Sequence, residues 1–141
     1  MNSTNTYLIF NGNCRQAMEF YKACLGGVLY TMSYASMPDL SADFPKENRD
    51  WILHARLTIK TAVIMASDTR PGVSITQGNN FFVNIDCESA EEAQMLFDAL
   101  GQNATIDMPL QETFFSIRFG MLTDQFGIKW MFNFEKPKLK P

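Results

Sequence analysis

The sequence predicts an α+β fold of two βαβββ modules, an internal duplication whose paired open sheets form a cleft. Three observations predict it. The first is a strand, cap and helix passage near the start of the 141-residue chain, "TYLIFNGNCRQAMEFYKACLGG". The second is a counterpart that begins about halfway along, "NFFVNIDCESAEEAQMLFDALGQ". The third is that three stretches of period-two alternation follow each helix, which is the signature of strands with two different faces. A whole element order that recurs within one chain reads as duplication.

The elements follow in order. Residues 6–10 alternate as a strand, and Asn11 and Asn13 stand as polar caps before a helix. The apolar stripe of that helix is Cys14, Ala17, Met18, Tyr21, Cys24 and Leu25, and Gly26-Gly27 ends it. Strands are expected at 28–35, 51–59 and 61–67. In the second half a strand at 80–86 leads to a capping box of Ser89 and Glu92. The second stripe is Ala93, Leu96, Phe97 and Leu100, stopped by Gly101. Strands then follow at 103–108, 113–121 and 128–135. "LHARL" (53–57) resembles "FSIRF" (115–119), which makes Arg56 and Arg118 pseudo-equivalent. The boundaries are a first module over 1–68, a linker over 69–78, a second module over 79–135 and a tail over 136–141, all in a single domain.

The bulk numbers exclude several classes. Net charge is −3, with no basic stripe for nucleic acid. Lys136, Lys138 and Lys140 read as a short solvated tail interrupted by prolines. No apolar run approaches the ~20 residues of a membrane span. Three cysteines (Cys14, Cys24, Cys87), an odd count without CxxC spacing or a signal peptide, indicate reduced thiols in a cytoplasm.

The βαβββ duplication, opening on "FNGNCRQAMEFYKACLGG" and closing on "TDQFGIKWMFNF", resembles the vicinal oxygen chelate superfamily of glyoxalases, extradiol dioxygenases, fosfomycin-resistance enzymes and bleomycin-binding proteins. Within it, "QETFFSIRFGMLTDQFGIKWMFNF" is most similar to the PhnB-like branch. The resemblance spans nearly the whole chain and implies a homodimer. Some members of the branch carry a demethylubiquinone methyltransferase label, but the sequence has no Gly-rich nucleotide loop to match it. Metal-dependent relatives hold a divalent ion with His and carboxylate side chains from four strands. By register those positions fall at Thr6, Met65, Asn80 and Met131, and their neighbours Tyr7, Ile64, Phe81 and Trp130 are no better as ligands. The expectation is therefore no metal and no cofactor.

Alternation assigns the faces away from the helices. On 51–59 it places Ile52, His54, Arg56 and Thr58 there; on 112–121 it places Glu112, Phe114, Ser116 and Arg118. Leu8, Phe10, Phe82, Asn84, Ser67 and Met131 join them, an aromatic wall with a few polar groups, as ligand pockets are built. The expected ligand-binding set is His54, Arg56, Phe82, Asn84, Glu112, Ser116, Arg118 and Met131. His54, the chain's one histidine, and Glu112 are the candidates for a general base; each is alternatively a structurally paired group. The arginines either fork a carboxylate or phosphate, or pair internally with Glu112 or Asp68. "SMPDLSADFPKENRD" (36–50) is either a lid or a plain surface connection. Three readings follow: a metal-independent small-molecule-binding protein; a lyase or isomerase using His54 or Glu112; and a metalloenzyme with the unusual ligands His54 and Glu112.

Overall fold

In a computed structural model, which describes residues 1–138, the chain forms two α+β units, 1–76 and 77 onward. The first holds β1 (Thr6–Phe10), α1 (Cys14–Leu25), β2 (Val28–Ser33), β3 (Ile52–Ile59) and β4 (Ala62–Asp68). The second holds β5 (Val83–Asp86), α2 (Ala90–Leu100), β6 (Thr105–Gln111), β7 (Ser116–Thr123) and β8 (Lys129–Glu135). The sheets have the same order, β1-β4-β3-β2 and β5-β8-β7-β6, and in each the first pair is parallel and the others antiparallel. A parallel first pair is what a strand, crossover and return to the same sheet produces. Neither sheet closes into a barrel.

Both helices bury the stripe that their spacing predicts, except in the last turn of α1, where Cys24 and Leu25 are only half-buried. On α1, Cys14, Ala17, Met18 and Tyr21 are fully buried, and on α2 Ala93, Leu96, Phe97 and Leu100 are buried. The start of α2 is held by Ser89, whose Oγ accepts from Glu92 N at 3.0 Å; Glu92 Oε1 accepts in turn from Glu88 N at 2.9 Å, one residue outside the cap. The start of α1 is held differently from expectation. Asn13 makes no capping bond with its side chain. Its place is taken by Asp68, at the end of β4, which accepts from Gly12 N (2.8 Å) and Cys14 N (3.0 Å) through Oδ1 and from Ile52 N (2.8 Å) through Oδ2. A buried carboxylate can satisfy orphan helix amides as a cap does, and here it also ties β3 and β4 to the helix.

Three strand phases differ from the alternation reading. Phe10 is 2% exposed, and Leu8 pairs with fully buried Ala66, so both lie under α1 while Tyr7 and Ile9 face away. Ile52 is also buried, because the β2–β3 register shifts at Met32/Ser33 and pairs Ser33 with Ile52, leaving Leu53 as the extra residue. An extra residue reverses the in-out phase beyond it. The third shift is in β7. Gly120 and Leu122 are buried, and a Cβ added to Gly120 would meet Phe97 Cε2 of α2 at 2.9 Å, so Phe119 and Met121 turn away from the helix. Strand β5 is shorter than predicted, beginning at Val83 and leaving Asn80 outside it.

The connection over 36–50 is closed at its neck by Tyr34 N donating to Trp51 O and Ala35 N to Arg49 O, each at 2.9 Å. Phe44 stacks on buried Tyr34 at 5.1 Å between ring centroids, and Tyr34 Oη donates to Asp68 O. Lys136 is not a free tail residue: its N donates to Phe115 O and its Nζ pairs with Glu112. Lys140 lies outside the described residues.

Candidate functional site

Each sheet has one face under its helix and one face turned away, and the functional candidates belong to the second. In the first unit a single row crosses all four strands. Tyr7 pairs with Met65, Met65 with Arg56, and Arg56 with Tyr30. Buried Ile64, Ala66, Ala55 and Leu57 flank this row in sequence, so its side chains point away from α1. Tyr7 and Tyr30 are exposed large aromatics, at 44% and 54%. His54 sits two residues from Arg56 on the same face. Its Nδ1 is 3.2 Å from Tyr7 Oη and the two rings stack at 5.8 Å and 28°. The phenol donates when the ring carries its proton on Nε2. Arg56 Nη1 lies 3.9 Å from Met65 Sδ.

The corresponding row in the second unit is Asn84, Met131, Met121 and Met108. Fully buried Trp130 and Phe132 flank Met131. Phe82 lies 5.5 Å from Lys129 Nζ, a cation over an aromatic face, and Lys129 also donates to Thr123 Oγ1 (2.9 Å) and contacts Asp107 Oδ2 (3.4 Å). Ser116 pairs with Glu135, and its fully buried Oγ lies 2.7 Å from Asn133 Oδ1 and 2.6 Å from Arg118 O. Asn84 Nδ2 donates to Asp86 Oδ1 at 3.1 Å.

These two rows correct the pseudo-equivalence of the arginines. Met65 and Met131 occupy matching positions, each paired with the first strand of its unit on one side and the third strand on the other. The residue matching Arg56 is therefore Met121, and the one matching Ala55 is Gly120. The resemblance of "LHARL" to "FSIRF" is three residues out of structural register. Arg118 lies past a register shift between Ser116 and Arg118 and pairs with Phe134, two residues along from buried Phe132. It therefore shares the helix-side phase, and its Nη1 donates to Ile117 O at 2.8 Å. The expectation that Arg118 faces away from α2 with Ser116 fails at this bulge.

Neither internal acid takes up an arginine. Asp68 spends its oxygens on three backbone amides, and Glu112 pairs with Lys136 Nζ at 3.0 Å with its side chain 64% exposed. His54, Arg56 and Met65 share one face in the first unit; Phe82, Asn84, Ser116 and Met131 share one face in the second. Alternation misses Tyr7, Tyr30 and Met121; it puts Lys129 on the face of the last strand that carries Met131 and Asn133, as the structure does, but not among the expected contacts. Gly120 was the available signal for Met121, because a glycine between Phe119 and Met121 marks the side on which another element approaches.

Two of the thiols, Cys14 and Cys87, are not reactive centres. Burial, reinforced by the Asp68 carboxylate, pushes the Cys14 thiol up to about 12, and burial followed by Glu92 pushes Cys87 up to about 11. Burial likewise raises the Tyr34 phenol, with Arg70 opposing. Among the described residues no three His, Cys, Asp or Glu side chains come together to hold a metal ion. At the matching central positions the structure offers Tyr7 with Met65 and Asn84 with Met131, a phenol, a carboxamide and two thioethers. That donor set does not fit the divalent ions that imidazole and carboxylate hold.

Comparison with known proteins agrees with this architecture. The family model described as 3-demethylubiquinone-9 3-methyltransferase matches residues 2–132. Protein YjdN of Escherichia coli (strain K12) is 36% identical over 92% of this chain and 93% of its own length. The solved structure of PA1353 from Pseudomonas aeruginosa is 38% identical, with a TM-score of 0.86, over 97% of this chain and 100% of that one. The PhnB protein from Bacillus cereus is 26% identical, with a TM-score of 0.73, over 94% and 99%. At 13% identity, a glyoxylase/bleomycin resistance protein/dioxygenase domain from Frankia sp. EAN1pec has a TM-score of 0.65 over 96% and 98% and shares the fold.

Proposed function

We propose that this chain, which belongs to the 3-demethylubiquinone-9 3-methyltransferase family, the PhnB-like branch of the glyoxalase/bleomycin-resistance fold, is a small-molecule-binding protein that works without a metal. One observation carries the reading. The central rows of the two helix-free faces, Tyr7-Met65-Arg56-Tyr30 and Asn84-Met131-Met121-Met108, hold aromatic, thioether and amide groups and contain no His, Asp or Glu. Such surfaces give a ligand apolar contact and a few directional polar anchors, and methionines add adaptable packing. His54, Arg56, Phe82, Asn84 and Met131 are the proposed contacts; Ser116, expected among them, is fully buried with its Oγ bonded to Arg118 O, Asn133 Oδ1 and Phe134 O, which is a structural place. Glu112 and Arg118 remain from the expected set in weaker positions, one exposed in an ion pair and one in helix-side phase.

Elemental analysis of purified protein tests metal independence, with the expected outcome of no stoichiometric Zn, Mn, Fe or Ni. One tightly held ion per chain overturns it. Mass spectrometry of a denatured sample for a co-purified compound tests binding itself.

The second reading, a lyase or isomerase, has its support in the Tyr7–His54 pair: an imidazole hydrogen-bonded to a phenol is a competent proton-transfer unit. Turnover that His54→Gln abolishes while the fold persists would establish it. A homodimer is proposed from family resemblance, and scattering that gives a monomer mass at all concentrations would refute it. That Cys14, Cys24 and Cys87 form no disulfide supports a reducing compartment. Among the described residues, no helix is long and apolar enough to cross a membrane.

A further inference from the structure

We infer that the helix-free face of the first unit binds a planar aromatic anion, a fused-ring carboxylate or its equivalent, with the anion on Arg56 and the ring against Met65 and Tyr7. The inference rests on the small-molecule reading above and names the ligand class for one of its two faces. Its first ground is charge. Arg56 is exposed on a sheet face, forms no ion pair among the described residues, and has the Met65 thioether, a weak acceptor, beside its Nη1. A guanidinium fork left with free donors is matched by a carboxylate in two parallel hydrogen bonds.

The second ground is the arrangement around it. Strands in a sheet stand about 4.8 Å apart, so Tyr7 and Arg56, two strands apart with Met65 between, are separated by about 10 Å. Tyr7 leans across this backbone spacing to meet His54 on β3, so a planar ring system over the Met65 sulfur lies beside the Tyr7 ring with its edge toward the guanidinium. Sulfur against an aromatic ring is itself favourable. The Tyr7 ring is held by its contact with His54, which fixes its orientation before anything binds. Tyr30, on the other side of Arg56, offers a further aromatic face on which the guanidinium or the ligand edge can rest. The matching row of the second unit has no cation in it, and Lys129 on the same face is already paired with Asp107, so the unpaired cation belongs to the first unit's face.

The test is isothermal titration of the full-length protein with 2-naphthoate, its neutral amide 2-naphthamide, and cyclohexanecarboxylate. The expected result is that naphthoate binds at least about tenfold more tightly than either analogue, the scale of one lost charge-assisted hydrogen bond, and weakens as salt rises. Arg56→Gln should remove the preference for naphthoate over naphthamide, and Tyr7→Leu the preference for naphthoate over cyclohexanecarboxylate. Because both residues are exposed, circular dichroism should show an unchanged fold. Naphthamide binding as tightly as naphthoate, with Arg56→Gln silent, overturns the assignment and leaves the small-molecule reading standing. If none of the three binds while a co-purified compound is released on denaturation, the assignment again fails alone; if neither occurs, both fail. A dimer that Arg56→Gln dissociates, with naphthoate affinity unchanged, shows that a second copy occupies this face and also overturns it.

Discussion

The two sheets share strand order, pairing direction and central row, yet differ in what they put at the same places. Above the helix side, the first unit has Ala55 and Ala66 where the second has Gly120 and Phe132, and all four are buried. The first therefore fills its core from the helix, with fully buried Met18 and Tyr21. The second fills it from the sheet, with Trp130 and Phe132, and lets Phe97 come down onto a glycine. On the other face the first unit carries Arg56 and two tyrosines where the second carries two methionines beside an asparagine. Duplication preserved the backbone register, while volume and polarity were redistributed within it. What a sheet must keep is pairing and total core volume; which strand or helix supplies that volume is free.

The largest expected effect breaks the sheet-filled core. Trp130 is fully buried, and its Nε1 donates to Asp124 Oδ2 at 2.8 Å. Trp130→Ala should cost about 3–5 kcal/mol. Ile64, its counterpart in the first unit, is smaller, and Ile64→Ala should cost less, about 2–4 kcal/mol on the same scale. Urea unfolding followed by circular dichroism decides this; equal losses at the two positions would contradict the division of volume described above.

A second contrast lies in the buried carboxylates. Asp68 ties the end of β4 to the starts of α1 and β3, whereas Asp124 pins the β7–β8 turn by accepting from Phe126 N, Ile128 N and Trp130 Nε1. Asp68→Ala leaves three backbone donors without their acceptor, two of them fully buried, and should cost about 3 kcal/mol. Hydrogen exchange should then quicken at Gly12, Cys14 and Ile52 in particular. Protection unchanged at those amides would mean that another group, such as the Asn13 side chain, takes over as cap.

Much of this was legible in the sequence. Both helical stripes, the Ser89–Glu92 box, the glycine stop after Leu25 and the strand at 6–10 follow from periodicity and capping chemistry that act over a few residues. Strand phase was less legible. A bulge adds one residue without changing composition, so alternation read from Phe115 arrives at Arg118 one position out of phase, and the same occurs at Ile52. The Arg56–Arg118 match failed for a related reason: a five-residue pattern of apolar and polar residues recurs by chance within strands, and only pairing to a common neighbour fixes the true correspondence. Asp68 as a helix cap was out of reach, since its partners lie as many as 56 residues away.

Smaller effects sharpen the comparison at its tightest contact. A Cβ on Gly120 would sit 2.9 Å from Phe97 Cε2 and 3.1 Å from Leu110 Cα, with backbone on one side and a packed ring on the other. Gly120→Ala should therefore destabilise by about 1–3 kcal/mol, against the usual gain for replacing glycine in a strand. Adding Phe97→Leu should recover part of that loss if the ring is what the methyl group meets. The reverse change in the first unit, Ala55→Gly, should cost only about 1 kcal/mol, since it trades one buried methyl for backbone entropy.

The smallest expected effect appears only at high pH, and it also separates the units. Burial holds the folded Cys14 thiol near about 12 and Cys87 near about 11, against 9.0 for an ordinary thiol. Below pH 9 both states keep their protons and the contribution is fully present. Above it the unfolded chain releases a proton that the folded chain retains, so the unfolded state binds fewer protons and stability falls with rising pH. The decline from Cys14 extends toward pH 12 and that from Cys87 ends sooner. Relative to each variant's own neutral-pH value, Cys14→Ala should flatten the alkaline loss more than Cys87→Ala, as measured by unfolding midpoints between pH 8 and about 11. The same burial orders the thiols toward iodoacetamide: half-buried Cys24 should be alkylated first in the native protein, and Cys14 only on unfolding. If Cys14 reacted as fast as Cys24 in native conditions, the first unit would have to open locally at the start of α1. The Asp68 tie would then be weaker than its three hydrogen bonds indicate.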